Sequence, residues 1–205
     1  MLPKVQEPEN AILSALFDQL KMGWLYYSCA KALDDAYGTR KIVSAFYFFR
    51  GAYVACVNEA LLSLAKLSIA NPKSVTIYTL IKYAEENPAK SKFANSEDVQ
   101  KACKMNRNKL RKYKALLKNL ENQRNNLLAH FGKINIEDPS WAQSDYIDMS
   151  LVESCYRELL NILNSYYDFY EHGEYRISNI DEGVEEDVKF LMSRIGKLSK
   201  VSPSF

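Results

Sequence analysis

Turn-forming residues are scarce: 7 Gly and 6 Pro in 205 residues, about half the usual share. That argues against a β-sandwich or barrel, whose many reversals need such residues. Only 2 His are present, and the 4 cysteines, Cys29, Cys56, Cys103 and Cys155, are scattered with no Cys-x-x-Cys pair. A zinc site built on His and Cys is therefore not expected, and no other metal or cofactor is. No uncharged apolar run reaches the ~18 residues of a membrane span; the richest stretch is broken by Arg50, Asn58, Glu59 and Lys66. The first ten residues carry Pro3, Glu7, Pro8 and Glu9 where a signal peptide would place an apolar core. Glycine patterns for dinucleotides or phosphate loops, internal repeats and low-complexity tracts are also missing. Scattered thiols without leader or span give the expectation of a soluble, cytoplasmic protein with no membrane partner. Charge of one sign is lacking too: 27 Lys and Arg stand against 25 Asp and Glu, a net +2. Any signal for a polyanion must be local.

What is present favours helices. Apolar residues make up 47% of the chain and aromatics 12%. Ile12, Leu16, Leu20, Trp24 and Tyr27 recur at helical spacing and predict a helix from about Asn10 to Tyr37, stopped by Gly38. A second is predicted from Lys41 to Ala70, ended by Asn71-Pro72. Its wide apolar surface (Phe46, Phe49, Tyr53, Cys56, Ala60 and Leu64, flanked by Phe48, Val57, Leu61 and Leu67) predicts a central helix buried on most sides. Ser74 is expected to cap a short helix reaching Glu86, followed by a loop over Asn87–Asn95. Ser96, Glu97 and Asp98 open a long helical pattern to Phe131, with a break near Met105-Asn106 and a stop at Gly132. Ser150 with Glu153 forms a capping box for a helix to Glu171, and a last amphipathic helix is expected over Asp181–Lys197. The pattern reads as an all-α bundle of five to six helices: an extension over 1–9, the bundle over 10–172, and an acidic segment with a terminal amphipathic helix over 173–205.

Two features rise above this background. Val99 to Leu120 contains eight basic residues and no acid: Lys101, Lys104, Arg107, Lys109, Arg111, Lys112, Lys114 and Lys118. Basic faces are commonly just solvated, but this one would also attract phosphates. On the same pattern, Leu110, Tyr113, Leu117, Leu120, Arg124, Leu127 and Phe131 form a stripe alternating 3 and 4, with Arg124 its one charged member. His130, six residues on, lies about 120° around the helix, with Leu127 between them, so both polar groups flank one apolar ridge. Asn126 shares the edge of His130.

An arginine for phosphate and a histidine for proton transfer are the minimum equipment for RNA cleavage without a metal. A neutral imidazole takes the 2′-hydroxyl proton, the oxygen attacks phosphorus, and the guanidinium stabilises the charge on the phosphoryl oxygens. Departure of the 5′-oxygen needs a second acid, which a twofold homodimer would supply as a second His130. The bland alternative is that Arg124 pairs with a buried carboxylate and His130 hydrogen-bonds inside the bundle.

The run Arg124-Asn125-Asn126-Leu127-Leu128-Ala129-His130 resembles the arginine-polar … histidine signature of the HEPN superfamily. Helix order, and the aromatic second helix leading into a short one, resemble its abortive-infection branch over about residues 10 to 170. The resemblance implies a HEPN-like all-α homodimer, a metal-independent endoribonuclease acting on RNA as a toxin or in phage defence, and a cognate antitoxin as partner. It implies Arg124 and His130 as catalytic pair, with Asn125 and Asn126 as polar support. A related toxin subgroup carries a modified tyrosine two places after the histidine; Gly132 stands there in this chain. The alternative from a different class is a non-catalytic helical module that binds nucleic acid or protein.

Lesser candidates remain. Arg50 and Tyr53, with Tyr47, Asn58 and Glu59, are candidates to line the site from the second helix, though such residues more often hydrogen-bond within a core. Trp24, Tyr26 and Tyr27 read as packing. Trp141 is a candidate contact, and His172 a helix C-terminal cation.

Overall fold

The computed structural model describes residues 7–38, 46–70, 73–123, 147–171, 183–191 and 193. Among them no strand occurs. The elements are α1 (Pro8–Gly38), α2 (Phe46–Ser68), α3 (Ile77–Glu86), a 3-10 turn at Pro88–Lys90, α4 (Ser96–Arg111), α5 (Lys114–Gln123) and α6 (Met149–Tyr170). Residues 183–191 are also helical. The all-α expectation holds.

Two compact units result: Met1–Leu20 with Leu62–Tyr175, and Lys21–Leu61 with Arg176–Phe205. In the first unit α6 supplies a face of Val152, Cys155, Tyr156, Leu159, Ile162, Leu163, Tyr166 and Tyr170, all fully buried. Leu13, Leu16 and Leu20 of α1, Ile77, Leu80 and Ile81 of α3, and Val99, Cys103 and Leu110 of α4 are buried with it. Specific bonds join the pieces. Phe17 meets Tyr167 edge-on at 5.7 Å, Tyr83 Oη donates to Glu9 Oε2 at 2.6 Å, and the amides of Lys92 and Phe93 donate to the carbonyl of Phe169. In the second unit Leu33, Ala36 and Phe49 form a small cluster, with Ala52, Tyr53 and Val188 packed on it.

Helix ends depart from the predicted ones for local reasons. Thr76, not Ser74, caps α3, because its side chain and that of Thr79 form a reciprocal capping box. Asn95 caps α4 by accepting from the Asp98 amide. Asp148, rather than Ser150, caps α6, and Ser150 bonds to it instead. The break expected near Met105-Asn106 lies at Lys112-Tyr113. Asn106 stays inside α4, 4% exposed, by donating to Ser165 Oγ at 3.2 Å. At the actual break the amides of Lys112 and Tyr113 reach back only three residues, to Lys109 and Leu110, a tightened turn. It sets Tyr113 where its hydroxyl meets Ser154 Oγ at 3.0 Å.

The expectation that α2 is buried on most sides is corrected. Phe48 is 71% and Val54 47% exposed, and Arg50, Gly51, Ala55, Asn58 and Glu59 are exposed beside them. Among the described residues of α2 full burial is limited to Phe49 and to Ala60, Ser63, Leu64, Ala65, Leu67 and Ser68, with Ala52, Tyr53, Cys56 and Val57 half-buried. A wide apolar surface in sequence does not reveal which of its sides meets a neighbour.

Leu80 has no exposed surface, whereas Met105 is 52% exposed. Leu80→Ala is expected to lower unfolding free energy by about 2–5 kcal/mol through lost burial and the cavity left behind. Met105→Ala is expected to cost less than about 0.5 kcal/mol. Urea unfolding followed by circular dichroism checks both.

Candidate nucleic-acid interface

Helix α4 presents the basic block. Its inner side carries Val99, Cys103, Asn106 and Leu110, all buried. At 100° per residue, Lys101, Lys104, Asn108, Arg111 and Lys112 share one outer sector about 100° wide, and all five are exposed. Glu97 and Asp98 occupy the first turn and Lys109 and Arg111 the last, the arrangement the helix dipole favours.

The eight cations are not equivalent. Arg107, on one flank, makes a two-pronged bond to Glu85 of α3, with Nε to Oε1 at 2.8 Å. Lys109, on the other, lies 2.9 Å from Glu158 Oε1 of α6. Lys118 of α5 pairs with Glu121 at 3.1 Å. Lys101, Lys104, Arg111, Lys112 and Lys114 meet no carboxylate among the described residues; Arg111 donates to Asn108 Oδ1 at 3.1 Å. The block thus becomes a narrow strip of uncompensated charge between two neutralised edges. Sequence reasoning missed Glu85, Glu158 and Glu121 as the neutralising partners, and only for Glu121, three residues from Lys118, did spacing offer a signal.

The stripe leading toward the motif is buried as far as it is described: Leu110 1%, Tyr113 8%, Leu117 9% and Leu120 2% exposed. Arg124, Asn125, Asn126 and His130 lie outside the described residues, as do Gly132, Trp141 and His172. On α2, Arg50 is exposed and Tyr53 packs half-buried on the Leu33–Ala36–Phe49 cluster. Tyr47, Asn58 and Glu59 belong to the same helix, and Asn58 and Glu59 are exposed.

Trp24 and Tyr27 are buried, with ring centroids 5.5 Å apart. All four cysteines are free. Burial, reinforced by the Glu158 carboxylate, pushes the Cys155 thiol up to about 12. Burial also raises Cys103, which accepts from the Tyr166 hydroxyl at 3.3 Å. Such thiols stay protonated and unreactive at neutral pH. Among the described residues no group of three His, Cys, Asp or Glu is placed to hold a metal ion. No helix among them is long and apolar enough to cross a membrane.

Comparison with known proteins adds one match: the family model HEPN_AbiU2, described as AbiU2, fits residues 10–191. No curated protein and no solved structure matches the chain.

The hydrogen bonds from Arg107 hold the Glu85 carboxyl below its ordinary 4.5. A carboxyl that protonates less readily when folded adds stability that is complete above its unfolded pKa and lost as pH falls through the folded one. The urea midpoint is therefore expected to fall from about pH 5 to about pH 3, and to fall less in Arg107→Gln, whose Glu85 has no guanidinium to lose. An equal fall in both proteins would show that the pair contributes nothing to acid sensitivity.

Proposed function

The chain belongs to the HEPN_AbiU2 family, the AbiU2 group of abortive-infection HEPN proteins, and on that premise we propose that it is a metal-independent endoribonuclease. The observation that carries the reading is that the matched span, residues 10–191, contains Arg124-Asn125 … Ala129-His130, which resembles the HEPN signature. The uncompensated cations of α4 support it, because they lie on the segment that leads to the motif and suit a phosphate backbone.

In this reading His130, neutral, accepts the proton of an RNA 2′-hydroxyl. The 2′-oxygen attacks the adjacent phosphorus and the bond to the 5′-oxygen breaks. Arg124 stabilises the charge gathering on the non-bridging oxygens, with Asn125 and Asn126 as polar support. The 5′-oxygen leaves with a proton from His130 of the partner subunit, so the active form is a homodimer. Its biological setting is a toxin or phage-defence role, held in check by a cognate antitoxin.

Purified protein is expected to cut RNA in the presence of EDTA and to sediment at twice the 23.6 kDa chain mass. His130→Ala is expected to lose about 100-fold or more in rate, the scale of a general acid–base contribution. Its unfolding free energy should stay within about 1 kcal/mol of wild type. Arg124→Ala is expected to lose cleavage as well. Absence of cleavage under every condition, or a His130→Ala protein that cuts as well as wild type, would transfer the protein to the class of non-catalytic binding modules.

A further inference from the structure

The strip of cations on α4 restricts what it can hold. Resting on the reading of the protein as one that acts on RNA, we propose that this face docks double-helical RNA through its phosphates alone, without reading bases. The first support is the row itself. Lys101, Lys104, Arg111 and Lys112 share one exposed sector and extend over about 16 Å of helix at 1.5 Å per residue. The helix that carries the row is anchored, because the opposite side of α4 is buried through Val99, Cys103, Asn106 and Leu110.

The second support is its width. The flanking cations, Arg107 and Lys109, are already matched by Glu85 and Glu158. Glu97 and Asp98 close the row at its N-terminal end. The paired edges carry no net charge to attract a phosphate, the carboxylates of Glu97 and Asp98 disfavour one at the N-terminal end, and one line remains along which negative charge is welcome. A double helix offers such a line, with about one phosphate charge per 1.7 Å of axis at fixed positions.

The third support separates double from single strands. Single strands are held by aromatic rings on which bases stack, combined with a basic groove. Residues 96–112 contain no Phe, Tyr or Trp, and the next residue, Tyr113, is 8% exposed with its hydroxyl on Ser154. No aromatic ring on this face offers a base a stacking platform. Recognition by phosphates and shape is how proteins hold duplex RNA.

The test is binding measured apart from cleavage, by fluorescence anisotropy of the full chain with a 2′-O-methylated RNA duplex of about 20 base pairs, longer than the ~16 that a duplex-binding module spans. That probe has no 2′-hydroxyl to attack, so its result does not depend on His130. The duplex is expected to bind at least about tenfold tighter than either separated strand, with log affinity falling against log salt at a slope of about −3 to −4, the value for four phosphate contacts. Lys101→Gln/Lys104→Gln/Lys112→Gln is expected to lower duplex affinity at least about tenfold and flatten the slope to about −1. A control with the same change in charge, Lys21→Gln/Lys66→Gln/Lys82→Gln, should lose less than about threefold. No saturable binding, strands that bind as tightly as the duplex, a control that loses as much, or a strip variant that binds like wild type would each overturn the proposal. Failure here leaves the cleavage reading standing on His130→Ala, and failure of that variant to matter leaves this one standing on binding.

Discussion

The buried side of α6 organises the first unit. Eight of its side chains, from Val152 to Tyr170, have essentially no exposed surface, and burial of that extent is the main favourable term in holding helices together. The polar bonds are placed around this face. Ser165 receives Asn106, Tyr166 reaches Cys103, Ser154 receives Tyr113, and the Phe169 carbonyl ties down the loop before α4. Each bond fixes a neighbouring segment's register against a surface already committed to the core. Tyr166 and Tyr156 are held protonated far above the ordinary tyrosine range by burial, so this interior stays uncharged.

That anchoring decides what α4 shows to solvent. Once Asn106 and Leu110 face inward, Arg107 and Lys109 fall on the flanks, within reach of Glu85 and Glu158. The remaining cations have no choice but to point outward. Exposed pairs such as Lys118–Glu121 contribute little stability. Their consequence is in the field: neutralisation at the edges sharpens a broad basic helix into a line. The same packing carries the buried stripe on through Leu117 to Leu120.

Much of this was legible in the sequence because periodicity reports burial directly. Leu16, Leu20, Trp24 and Tyr27 of α1 are buried as their helical spacing predicts. The turn at Lys112-Tyr113 was not legible, since it depends on Tyr113 meeting a serine 41 residues away. Asp148 displaced Ser150 as a cap because both are good cap residues and sequence alone does not rank two neighbours. The open side of α2 was hidden for another reason: apolar residues such as Phe48 and Val54 signal burial whether or not this chain supplies the neighbour. Of the basic block, the run of cations was readable in sequence but not which of them are neutralised, since Glu85 and Glu158 come from other helices. The motif was readable as a pattern, Arg124 interrupting an apolar stripe, and the family match over residues 10–191 bears out the resemblance of the chain as a whole.

If the proposed His130 rather than a metal-bound water starts the reaction, the RNA's own 2′-oxygen is the nucleophile. The chemistry of the product ends reports this directly. Mass spectrometry of a defined oligoribonucleotide cut by the wild-type protein is predicted to find 2′,3′-cyclic phosphate on the upstream fragment and a 5′-hydroxyl on the downstream one. Fragments ending in 3′-hydroxyl and 5′-phosphate would mean that water attacked instead, and would rule out attack by the 2′-oxygen.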